Sequence, residues 1–143
     1  MKKLLLLSIF IIASSFAVML TQSTYVMDKN HSRLGFSATH FGISHVEGNF
    51  KNFEATLISS KEDFSDAVIE MTAEAKSIDT DVELRDKDLR GSNFFDVAKY
   101  PKMKFKSTAI TGTEKAFKVT GDLTIRDVTK KVTVKLQGAS AGS

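Results

Sequence analysis

From Leu34 onward the chain alternates apolar and polar residues, the period of a strand with one face in the core. Leu34, Phe36 and Ala38 interleave with Gly35, Ser37 and Thr39, and Val46, Gly48 and Phe50 continue beyond a turn at Phe41-Gly42-Ile43. After Lys51-Asn52 the phase slips by one, to Phe53, Ala55 and Leu57, which predicts a β-bulge or a sharp bend. Ala67, Ile69, Met71, Ala73 and Ala75 form the next apolar face, opposed by Glu70, Thr72, Glu74 and Lys76. Met103, Phe105, Ser107 and Ala109 oppose Lys102, Lys104, Lys106 and Thr108. Phe117, Val119, Gly121, Leu123 and Ile125 lead to a hairpin turn at Asp127 to Lys130, from which Val132, Val134 and Leu136 return. Thr80-Asp81-Val82-Glu83 breaks the period with a capping-box pattern, and predicts a short charged helix from Asp81 to Arg90 ended by Gly91. Six strands in succession, each apolar on one face, describe an antiparallel meander that curls its apolar faces inward. The predicted fold is all-β with one short helix, as a barrel or tight sandwich.

The N-terminus departs from this pattern. Met1-Lys2-Lys3, the apolar run Leu4 to Ile12 and the small residues Ser15 and Ala17 have the order of a secretory signal peptide, residues 1–17, cleaved after Ala17. The competing reading is an uncleaved anchor, but Leu4 to Leu20 is 17 residues, at the short limit for a membrane span. The strand-bearing domain then covers residues 24–138, and 139–143 reads as a disordered tail. Localisation is periplasmic or secreted, with no stable membrane span after cleavage.

Composition removes several classes of function. The 143 residues include 20 Lys and Arg against 17 Asp and Glu. Setting aside Lys2 and Lys3 leaves eighteen against seventeen, a balance of +1. A nearly neutral domain without a basic, aromatic-interleaved cluster is no nucleic-acid binder. The absence of Cys excludes disulfides, thiolate catalysis and cysteine-held metal. His31, His40 and His45 do not converge by spacing on a metal site, and no metal ligand is assigned. Asp79, Asp81, Glu83, Arg85, Asp86, Asp88 and Arg90 read as an exposed helix with pairs such as Asp81–Arg85 and Asp86–Arg90, not as catalytic carboxylates. No catalytic residue is assigned and the chain is not read as an enzyme.

Phenylalanine is the anomaly, with eleven Phe and no Trp. Phe36, Phe50, Phe105 and Phe117 either pack a core or line a cavity for an apolar ligand. Small residues on the same faces (Ala38, Gly48, Ala73, Ala75, Ser107, Gly121) lean towards a cavity by leaving volume unfilled.

Tyr25, Asp28, His31-Ser32, Phe36, His40, Gly42, Ser44, Val46, Gly48 and Phe50 resemble the opening of the YceI-like polyisoprenoid-binding proteins. Ser77-Ile78-Asp79-Thr80, Arg85-Asp86, Leu89-Arg90, Phe94-Phe95-Asp96, Tyr100-Pro101 and Phe105-Lys106-Ser107 look like that family's central signature. Thr120 to Ile125, followed by Val128-Thr129-Lys130, is similar to its late hairpin. The chain departs from the family at Asp127, where Gly is usual, at Lys131 (Pro), at Asp88 (His) and at Asn93 (Asp). Asp tolerates the left-handed region, so the turn at Asp127 survives.

The resemblance implies a periplasmic, lipocalin-like antiparallel barrel that binds a long amphiphilic chain without catalysis. The ligand would be a polyisoprenoid, an isoprenoid quinone precursor or a fatty-acid amide, with no cofactor required. Carried over by position, Leu34, Phe36, Ala38, Phe50, Met71, Ala73, Phe105, Phe117 and Val119 would line the tunnel; His40 stands at a family position without an assigned contact. Family members continue past the position of Ser143, so the expected barrel is incomplete or open and should self-associate through its exposed edges. The alternative is a structural or interaction domain whose Phe-rich interior is fully packed and holds no ligand.

Overall fold

The computed structural model describes residues 21–40, 42, 44–113 and 116–137; the leader at 1–17 and the tail at 139–143 lie outside the described residues. Nine strands are described: β1 (Ser23–Val26), β2 (Leu34–His40), β3 (Ser44–Phe50), β4 (Phe53–Ser59), β5 (Val68–Glu74), β6 (Ile78–Asp79), β7 (Lys102–Thr113), β8 (Ala116–Ile125) and β9 (Val128–Gln137). One helix, α1 (Glu83–Arg90), sits between β6 and β7. All pairings are antiparallel. A six-stranded sheet has the order β1-β4-β5-β7-β8-β9, and a three-stranded sheet the order β2-β3-β6. They do not close on one another, so the architecture is an open lipocalin-like barrel.

The phase slip at Lys51-Asn52 is a corner. The chain leaves the small sheet after Phe50 and enters the large one at Phe53. Ser77 pins the corner: its carbonyl accepts from Lys51 N–H (3.1 Å) and its hydroxyl oxygen from Asn52 N–H (3.0 Å).

The bulge lies elsewhere, between Ser107 and Ala109 on β7. It turns Ala109 to the outer face opposite Thr120 and brings Ile110 inward opposite Val119. Ala109 therefore does not continue the Met103-Phe105-Ser107 face. Ser107 stays buried, and its hydroxyl accepts the Ile69 N–H at 2.8 Å.

The capping box does not form. Val82 is the N-cap, without a side-chain hydrogen bond, and α1 starts at Glu83, not Asp81. Thr80 is drawn into a buried network instead: its N–H and hydroxyl donate to Asp86 Oδ1 at 3.0 and 2.5 Å. Arg85 donates to Thr80 Oγ1 and to the Thr80 carbonyl, both at 2.7 Å. Asp86, expected on an exposed face and paired with Arg90, is only 3% exposed. Arg90 binds the carbonyls of Lys76 and Ile78 at 3.0 Å, which ties the end of α1 to the small sheet. Gly91 ends the helix in an extended conformation (φ −71°), not the left-handed one.

A two-residue turn, Arg126-Asp127, joins β8 to β9, and Arg126 takes the positive φ (57°), not Asp127. Asp127 accepts from the Tyr100 hydroxyl at 2.6 Å, and the Arg126 guanidinium lies 5.3 Å from the Tyr100 ring centroid. The segment from Gly91 to Pro101 is thereby docked onto the hairpin tip.

The core cluster is Phe50, Ala73, Ala75, Ile78 and Met103, with Leu34, Phe36, Phe53, Leu89, Phe95, Val97 and Ile125 packed against it. Phe50 has Phe36 on one side (ring centroids 5.6 Å apart) and Phe95 edge-on at 5.7 Å on the other. Two glycines make room for rings. A Cβ on Gly48 would lie 2.6 Å from Phe36 Cζ, and one on Gly121 2.5 Å from Phe105 Cζ. At Gly48 and Gly121 the volume is filled by aromatic rings, so neither glycine is evidence of a cavity.

Candidate functional site

Directly opposed residues share a face of an antiparallel sheet, so the registers define the inner face of the large sheet row by row. The first row is Phe53, Ala73 and Met103, with Ile125 and Val128 paired at its far end. The second is Ala55, Met71, Phe105, Leu123 and Lys130. A third holds Tyr25, Leu57 and Ile69, and a stretch of β7, β8 and β9 carries Ser107, Gly121 and Val132. Beyond the bulge come Ile110, Val119 and Val134, then Gly112, Phe117 and Leu136.

The small sheet and α1 pack against Phe53, Ala73, Met103 and Ile125, while Val128 at the end of the row is 56% exposed. The rows beyond are only partly covered. Val119 is fully buried, but Val134 is 38% and Leu136 37% exposed, and Tyr25, at 48%, holds its ring edge-on to Phe64 (5.4 Å). Leu57, Ile69, Phe117 and Val132 are half-buried. The inner face thus divides into a packed end rich in Phe and an apolar stretch without a full cover.

The nine residues expected to line a tunnel fall on both sides of that division. Leu34, Phe36, Phe50 and Ala73 belong to the packed cluster. Met71, Phe105, Phe117 and Val119 are on the inner face of the large sheet, and Ala38 is exposed on β2. Tyr25, Leu57, Ile69, Val132, Val134 and Leu136 were not in that set. Alternation alone marks five of them; Tyr25, on a four-residue strand, carries no period.

Two clefts open on the polar side of the corner. One of about 300 Å³ is lined by Lys29, Lys51, Asn52, Glu54, Glu74 and Lys102 among others, and one of about 270 Å³ by Lys51, Asp79, Glu83, Asp86 and Arg90 among others. Most of their charges are paired. Lys51 binds Asp79, which holds the Asp79 carboxyl below its usual range, and Lys29 meets Glu54 at 3.2 Å. Glu74 is held low chiefly by the Asn52 amide. These pairs brace the corner.

His31 and His45 each have their own partner. His31 Nδ1 is 2.7 Å from Asp28 Oδ2, which raises the imidazole pKa above its ordinary value. His45 reaches Thr39 at 3.4 Å; the side chain of His40 lies outside the described residues. Among the described residues no three His, Cys, Asp or Glu stand where they could hold a metal ion, and no helix is long and apolar enough to cross a membrane.

An open antiparallel sheet with an apolar inner face is the build of a lipocalin-like binding domain. The chain belongs to the YceI-like family, whose domain model matches residues 25–142. It is 31% identical to a UPF0312 protein of Vibrio parahaemolyticus over all of this chain and 77% of that one. It is 39% identical to a UPF0312 protein of Pseudomonas savastanoi and 35% identical to protein YceI of Escherichia coli O157:H7; each match covers 78% of this chain and 59% of the relative. The chain thus spans less than two thirds of the length of these last two relatives. Among solved structures, it matches Burkholderia cenocepacia BcnA with a TM-score of 0.67 and 28% identity, covering 80% of this chain and 72% of that one. The Campylobacter jejuni YceI protein matches with a TM-score of 0.57 and 29% identity, covering 82% and 71%. The YceI-like family is one of binding proteins rather than of enzymes.

Proposed function

We propose that this chain is a non-enzymatic carrier of a long-chain apolar or amphiphilic lipid, exported to the bacterial periplasm. The ligand class is a polyisoprenoid, an isoprenoid quinone precursor or a fatty-acid amide. The observation that carries the reading is the partly exposed apolar stretch of Tyr25, Leu57, Ile69, Phe117, Val132, Val134 and Leu136, set beside a packed core that needs none of them. Each CH₂ buried against it contributes about 0.8 kcal/mol. A ten-residue strand such as β8 runs roughly 33 Å, long enough to follow an extended chain. The unliganded structural reading accounts for the packed end but leaves this stretch unexplained. Self-association through the outer edge of β9, which pairs only with β8 among the described residues, belongs to the same proposal.

The test is titration with a conjugated-polyene fatty acid, whose emission rises on leaving water. Saturable binding of one probe per chain is the expected result. A linear, non-saturating signal from a folded protein would contradict it.

A further inference from the structure

The inward positions of the large sheet carry one charge. On β4, β5, β7 and β8 every inward residue is apolar, Gly or Ser, and on β9 the inward positions are Val128, Lys130, Val132, Val134 and Leu136. Lys130 lies opposite Leu123, in the row of Phe105 and Met71. Its neighbour Lys131 faces outward and is neutralised by Asp122 at 3.2 Å. Lys130 is exposed and, among the described residues, has neither a hydrogen bond nor an ion pair. Its stem can lie along the apolar wall while the ammonium stays at the water boundary.

We infer that Lys130 anchors an anionic head group, a carboxylate or a phosphate, of the lipid held on the inner face. The inference rests on the proposed lipid binding. A chain laid along Val132, Val134 and Leu136 leaves its head beside Lys130, where the wall reaches the turn and its apolar positions are flanked by water. Nearby acidic side chains do not compete: Asp122 faces outward onto Lys131 and Asp127 holds Tyr100. A lone cation beside low-dielectric wall attracts an anion more strongly than one in open water.

Two probes that differ only in head charge test this: the conjugated-polyene fatty acid and its primary amide, at pH 8 and low salt. The acid should bind the native chain about fivefold more tightly than the amide, the size expected of a partly exposed ion pair. Lys130→Gln should bring the two affinities together by weakening the acid alone, and Lys130→Arg should keep the preference. Lys135→Gln, the same charge change on the outer face, should leave it intact. If native chain binds neither probe, the lipid reading itself falls. If acid and amide bind equally and Lys130→Gln changes neither, the lipid reading stands and the anchor is overturned. The anchor is equally overturned if Lys130→Gln leaves both affinities alone and only raises self-association in light scattering, since an inward lysine on an outer strand can also serve to repel a second strand.

Discussion

Replacing Asp86 with alanine should destabilise the domain by about 3 kcal/mol, a large share of the 5–15 kcal/mol typical of a folded domain. The carboxylate is buried and accepts from both the N–H and the hydroxyl of Thr80, itself only 3% exposed. Removing it leaves the Thr80 N–H in the interior without its acceptor, and hydrogen bonds to a charged group are the costly kind to lose. The effect spreads because Thr80 also receives Arg85 and stands at the end of β6, against which α1 is held. Denaturant titration is the readout, with a lower midpoint and an unchanged slope. Asp88→Ala, two residues along on the exposed face, should stay within about 0.5 kcal/mol of the native chain. A midpoint for Asp86→Ala equal to that of Asp88→Ala would mean the network contributes nothing.

Val134→Asp should weaken polyene fatty acid binding by about a hundredfold or more while the protein stays folded. Val134 lies inward on β9 opposite Val119 and is more than a third exposed, so the free protein can hydrate a carboxylate there. A bound chain would strip that water, at a cost of several kcal/mol unless the group takes up a proton. About 2.7 kcal/mol already amounts to a hundredfold. Thr133→Asp, one residue away on the outer face, should leave the affinity unchanged. Unaltered binding by Val134→Asp in a folded protein would move the ligand off this face. Phe36→Asp cannot serve in its place. Phe36 packs over Gly48 and against Phe50, so lost binding there would report a disrupted core.

Much of the fold is legible in the residue pattern because strand parity is local. Alternation places β2, β3, β4, β5, β8 and β9, and even the corner at Lys51-Asn52 shows as a slip of phase. The bulge on β7 is silent: Thr108, Ala109 and Ile110 allow apolar alternation to be read through Ala109, and only the partner strand reveals that Ile110 faces inward. β1 and β6, four and two residues long, are too short to carry a period. The capping box fails for a related reason. Thr80 and Glu83 satisfy it by spacing, but the Thr80 hydroxyl donates to Asp86 and its oxygen accepts from Arg85 instead of from the helix terminus, and those contacts depend on burial. The site is less legible than the fold. Small residues suggest empty volume, yet which ring fills the space over Gly48 or Gly121 is set by cross-strand register. The inward Lys130 is hidden in a run of two lysines until pairing with Leu123 assigns its face.

Native mass spectrometry of the chain purified from a bacterial periplasm without detergent, followed by organic extraction, decides whether the apolar stretch of the inner face carries a long-chain lipid. The expected result is a population heavier than the bare chain by the mass of one lipid, with that mass released into the solvent and absent from Val134→Asp prepared alongside. A folded native chain at its bare mass, yielding no lipid on extraction and taking up none from added long-chain amphiphiles, would contradict it.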